Sequence, residues 1–189
     1  MDLYLLIDYS SSMNQTVQGT YRKRIDVVWD KLKDFLRKSK IDFKRIYLYT
    51  FSENLDYIGK FNTTSEVLNG IRSIFKKPAG GTRIWDCIID VMNNADNNNK
   101  TFILCITDGE DRSSIFTYRD VINRLKTNEK IELHILDITG RLKDREDDVS
   151  NIIKPIKRIE SIDVELDELI QKSRLRAEKD FKPFRISVP

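Results

Sequence analysis

Hydrophobic side chains recur along this chain in two rhythms that take turns. Leu3–Ile7 is an unbroken apolar run closed by Asp8, Tyr9 and Ser10, the pattern of a strand covered on both faces. Ile25, Val28, Leu32, Phe35 and Leu36 then fall at helical spacing, with Arg, Lys and Asp between them. Arg45–Phe51, rich in aromatic and aliphatic residues, predicts a second strand. Leu55–Phe61 predicts a short third one, in which Gly59 marks an edge or a bulge. Val67, Leu68, Ile71 and Phe75 give a short helix over Ser65–Phe75, ended by Pro78-Ala79-Gly80-Gly81. Trp85, Ile88, Ile89 and Met92 carry the next helix, closed by the Asn-rich stretch Asn93–Asn99. Thr101–Ile106 is another apolar strand; Tyr118, Val121, Ile122 and Leu125 carry a helix, and Ile131–Ile138 a strand. A strand near Ile156–Ile162 and a helix over Asp163–Lys179 complete the pattern.

Strands separated by helices imply right-handed crossovers. The expected fold is therefore α/β: a three-layer α/β/α sandwich around a mostly parallel sheet, with Leu55–Phe61 as a short antiparallel edge strand. No repeat or linker interrupts the chain of 189 residues, so it reads as one domain over 1–189, with the last ten or so residues as a tail. The polar residues after Ile7 and Ile106 then lie at one edge of the sheet, where ligands bind in such folds.

Three oxygen-rich segments meet that edge: Asp8-Tyr9-Ser10-Ser11-Ser12, Gly80-Gly81-Thr82 and Thr107-Asp108-Gly109. Asp8, Ser10 and Ser12 alternate on a short turn, and the glycines before Thr82 let a loop approach closely. Carboxylates and hydroxyls without His or Cys suit a hard divalent cation such as Mg²⁺ or Mn²⁺. Each segment alone reads as an ordinary turn or cap; their joint order does not.

In that order, D-x-S-x-S, G-G-T and T-D-G resemble the von Willebrand factor A family and its metal-ion-dependent adhesion site, over nearly the whole chain. Tyr49-Thr50-Phe51-Ser52 after the second strand and Gly80–Asp86 opening a helix match as well. The resemblance implies that Ser10 and Ser12 bind the ion directly and Asp8 mainly through water. It implies that Thr82 and Asp108 exchange direct and water-mediated contact when a ligand arrives. Ser11 stands where the family often has Gly, which leaves the liganding positions intact. The implied function is non-catalytic protein binding, the ion ligating an Asp or Glu carboxylate of a partner. Tyr9, Glu53, Arg83, Arg112 and Phe116, beside the motifs, are the expected rim that selects the partner. Stand-alone microbial modules of this family resemble partners of AAA+ ATPases, of kinase–phosphatase stress systems or of defence systems, an analogy only. The abundance of Lys, Asn and Ile suggests an AT-rich microbial or viral coding bias.

Composition narrows the alternatives. The net charge of +3 is nearly balanced, so no electrostatic footprint marks a nucleic-acid binder. No apolar run approaches a membrane span, and Met1-Asp2-Leu3-Tyr4 lacks a secretory signal; the expectation is a cytoplasmic protein. Cys87 and Cys105 then read as reduced core thiols. Phosphoryl transfer with Asp8 as nucleophile is the enzymatic alternative, but Ser10 occupies the place where a second Asp would act as general acid and base. His134, the single histidine, lies within a strand and reads as packed or hydrogen-bonded, not as a hydrolase base. Lys172, Arg174, Arg176, Lys179, Lys182 and Arg185 form a basic C-terminal stretch interrupted by Glu178 and Asp180, read as a solvated helix face.

Overall fold

The computed structural model describes residues 1–38, 43–74, 77–96, 98–109, 111–139, 142, 152–155, 162, 164–169 and 171–172. Among these described residues six strands form one sheet: β1 (Asp2–Asp8), β2 (Arg45–Phe51), β3 (Leu55–Phe61), β4 (Thr101–Thr107), β5 (Ile131–Asp137) and β6 (Ile153–Pro155). Their order is β3-β2-β1-β4-β5-β6. All pairs are parallel except β2 with β3. The β2–β3 register shifts at Leu48/Tyr49, where Gly59 faces Leu48, so the glycine does mark a bulge at the edge.

Alternation along β1 and β4 builds two cores. Leu3, Leu5 and Ile7 join Phe102, Leu104 and Ile106 on one face, under α1 (Arg24–Lys38) and α2 (Thr64–Arg72). Ile162, Leu166 and Leu169, all helical residues, pack on that same face. Tyr4, Leu6, Ile103 and Cys105 face the other way, under α3 (Ile84–Asn94) and α4 (Tyr118–Thr127). β1 and β4 are buried along their whole length, as a central parallel strand sandwiched between helical layers must be. Cys87 and Cys105 are both buried and unbridged in the second core, and burial pushes the Cys87 thiol up to about 12.

Among the described residues the last strand is Ile153–Pro155; of the strand expected near Ile156–Ile162, residues 156–161 lie outside the described set and Ile162 is helical. Ile153 anchors the strand in the second core with Ile152 partly buried before it, and Ile162 packs in the first core from the helical segment that follows. Phe75 and all of the basic stretch after Lys172 also lie outside the described residues.

The order explains where a site forms. The chain leaves β1 toward β2 and leaves β4 toward β5, so the connections after these adjacent strands run in opposite directions and a crevice opens between them. Asp8 ends β1 and Asp108 follows β4.

Candidate metal centre

The loop after β1 turns at once into a single turn of 3-10 helix, Ser11–Asn14. Its backbone is tied across the crevice to the glycine loop before α3. The Tyr9 carbonyl accepts from the Ala79 amide at 2.9 Å, and the Gly80 carbonyl accepts from the Ser11 amide at 3.1 Å. The Ser11 hydroxyl donates to that same carbonyl at 3.0 Å. Gly80 has φ +80°, a left-handed conformation that disfavours a Cβ. Beyond it, the Gly81 amide donates to Glu53 Oε1 at 3.0 Å.

Within this frame the predicted ligands converge. Ser12 Oγ donates to Asp108 Oδ1 at 2.7 Å and lies 3.0 Å from Ser10 Oγ. Asp8 accepts from the Ser10 amide at 2.8 Å and from the Thr107 hydroxyl at 2.5 Å. The bare α-carbon of Gly109 brings Thr82 in: a Cβ there would sit 3.3 Å from Thr82 Oγ1 and 3.7 Å from Asp8 Oδ2. Both carboxylates are fully buried, and Ser10 and Thr82 nearly so. Burial pushes the Asp8 carboxyl up to about 6, against hydrogen bonds from Ser10 and Thr107 that hold it down. An open cleft of about 190 Å³ lies over the cluster, with Ser12, Gln15, Gly80, Thr82, Gly109 and Arg112 among its walls.

The donor set fits a hard divalent cation. Two carboxylates and three hydroxyls are oxygen donors of the kind Mg²⁺ and Mn²⁺ take, and the glycine at 109 keeps the space between Thr82 and Asp8 clear of side chain. Among the described residues no three His, Cys, Asp or Glu side chains gather, so the hydroxyls must supply much of any coordination.

The rim is only partly as expected. Arg112 lines the cleft and Glu53 holds the glycine loop beside it. Tyr9 does not face the cleft: it is 6% exposed and its ring packs 6.4 Å from that of Trp29 in the first core. It continues the inward alternation of Leu3, Leu5 and Ile7. The Arg83 guanidinium turns to Asp86, and the Phe116 ring lies under Arg124, 5.8 Å from its guanidinium carbon. His134 is occupied by Glu132 at 2.8 Å and stacks on Phe102 at 5.1 Å.

Two participants were given no role in the sequence reading, although Thr107 stands in one of its motifs. Thr107 buttresses Asp8, and its Oγ1 also accepts from the Gly109 amide at 3.2 Å. Arg24, the first residue of α1, donates to Asp108 Oδ2 at 2.7 Å with its side chain 18% exposed. A cation at a helix N-terminus opposes the helix dipole, which was the available signal that Arg24 answers a buried acid. Asp86 and Asp111 are bracing residues. Asp86 accepts from the Ile115 and Phe116 amides at 3.1 and 2.9 Å, and Asp111 from the Ile84 amide at 2.8 Å. Together they fix the loop after β4 to the start of α3. Glu110 lies outside the described residues.

The family model of the von Willebrand factor type A domain matches residues 2–166. No curated protein matches the sequence. Among solved structures, proximal thread matrix protein 1 from the mussel byssus superposes with a TM-score of 0.70 at 17% identity, over 91% of this chain and 47% of that one. The same protein with a zinc-occupied MIDAS motif gives 0.68 at 16% identity over the same shares. This chain thus spans about half the length of the mussel protein. The conserved hypothetical protein BatB from Bacteroides thetaiotaomicron gives 0.71 at 13% identity, over 92% of this chain and 98% of that one. At such identities the likeness shows the fold alone.

Proposed function

Because this chain belongs to the von Willebrand factor type A domain family, we propose that it is a non-catalytic module that binds a protein partner through a divalent cation, Mg²⁺ or Mn²⁺. Asp8, Ser10, Ser12, Thr82 and Asp108 would hold the ion, which supplies a Lewis-acidic position for one further oxygen. The observation that carries the reading is the convergence of two buried carboxylates and three hydroxyls under an open cleft. A zinc-occupied MIDAS motif in the mussel protein supports a divalent ion on this scaffold. The partner group is an Asp or Glu carboxylate, a hard anionic oxygen, met at the cleft wall by Arg112. Asp8 is poorly placed for nucleophilic chemistry: it is fully buried, and both its oxygens already accept hydrogen bonds. No helix among the described residues is long and apolar enough to cross a membrane.

Affinity capture with wild type and a Ser10→Ala/Asp108→Ala variant, each in Mg²⁺ or EDTA, tests the reading. A partner retained only by wild type in Mg²⁺ is the expected result. Equal retention in all four conditions would show recognition that ignores the ion.

A further inference from the structure

Resting on that reading, we propose that Arg24 is a built-in counter-ion of the metal site, so that the free site holds a cation weakly and tightens when an anionic ligand joins it. Asp108 spends both carboxylate oxygens inside the protein, Oδ1 on the Ser12 hydroxyl and Oδ2 on Arg24. The guanidinium is mostly buried against a fully buried acid, where charge interactions are strong and little screened. It is fixed in place by α1, whose first amide donates to the Gln15 carbonyl at 2.9 Å, just after the 3-10 turn that carries Ser12.

The charge balance has a direct consequence. Asp8, Asp108 and Arg24 leave the empty cluster with one net negative charge. A divalent cation turns this into one net positive charge, and a single carboxylate from a ligand returns it to zero. Without Arg24 the loaded cluster would already be neutral and would draw an anion less strongly. Arg24 therefore repels the incoming cation and contends with it for Asp108, but attracts the partner's carboxylate once the ion is bound. Cation and anion then bind with positive coupling, each raising the affinity of the other by the same factor.

Mn²⁺ titrations followed by electron paramagnetic resonance test this in wild type, Arg24→Met and Arg24→Lys, in chloride and in acetate at equal ionic strength. Arg24→Met keeps most of the aliphatic stem; Arg24→Gln replaces it should that variant not fold. In chloride, Arg24→Met is expected to bind Mn²⁺ at least tenfold tighter than wild type, with Arg24→Lys close to wild type. Acetate should strengthen Mn²⁺ binding several-fold in wild type and little in Arg24→Met. Equal Mn²⁺ affinity of wild type and Arg24→Met, or the same effect from Lys as from Met, would overturn the counter-ion role while leaving the metal site standing. Absence of Mn²⁺ binding in all three proteins would overturn both.

Discussion

Asp8 lies fully buried beside a second carboxylate and is held by the neutral amide of Ser10 and hydroxyl of Thr107. Ionised near neutral pH, it is a destabilising group in the metal-free protein, since burial favours the uncharged form. Asp8→Asn should therefore leave metal-free stability unchanged or raise it by about 1–3 kcal/mol, while removing any stabilisation by added Mg²⁺. Thermal unfolding with and without the ion checks both halves; a less stable metal-free variant would contradict the first. This conflict between local stability and ligand binding is common at functional sites. The residues that converge at the crevice were legible in the sequence because they lie in short oxygen-rich segments after β1, before α3 and after β4, where direction matters less than reach. The rim was less so, since neighbouring positions point to opposite faces. Tyr9 carried a usable signal, continuing the odd-numbered core face of β1, and proximity to the motif masked it. Arg24 lies far from Asp108 in sequence, and only the folding of α1 over that face of the sheet joins them.

Elements position the site through braces more than through the core. Asp86 ties the loop after β4 to α3. Burial works against its charge, but the amides of Phe116 and Ile115 and the Arg83 guanidinium outweigh burial and hold its carboxyl below the usual carboxylate range. A depressed pKa gives stability that is present above the unfolded value, ~3.9, and lost as pH falls through the folded one. Asp86→Asn should cost roughly 1–3 kcal/mol at pH 7, and its deficit should shrink as acid protonates the wild-type group. Urea unfolding at pH 7 and pH 3 measures this; a gap independent of pH would refute it. At α2 the capping box is remote from the cleft: Thr63 Oγ1 accepts from the Glu66 amide at 3.2 Å, and Glu66 Oε2 accepts from the Thr63 amide at 3.3 Å. Thr63→Ala should lower stability by about 1 kcal/mol with Mn²⁺ affinity unchanged, and a shift in that affinity would show that α2 is coupled to the site.

Across the whole molecule, the strand order decides which loops meet. Period and apolar runs foretold the layers, the parallel sheet and the antiparallel β3, because burial on both faces leaves a visible signature. They did not foretell the order β3-β2-β1-β4-β5-β6, which depends on the side to which each crossover returns. The opposite edge shows the contrast between a closed and an open acid cluster. There Arg45 joins Asp2 at 2.5 Å and Asp96 at 2.8 Å, and its hydrogen bond draws the Asp96 carboxyl down to about 2. At the β1/β4 crevice the acids instead meet hydroxyls and one arginine beneath a cleft. Isothermal titration of Mg²⁺ or Mn²⁺ into wild type and Ser12→Ala tests that difference most directly. One ion bound per wild-type chain, with binding lost or weakened at least tenfold in Ser12→Ala, is the expected result. No binding to wild type, or equal binding to both, would contradict the assignment of this crevice as a metal centre.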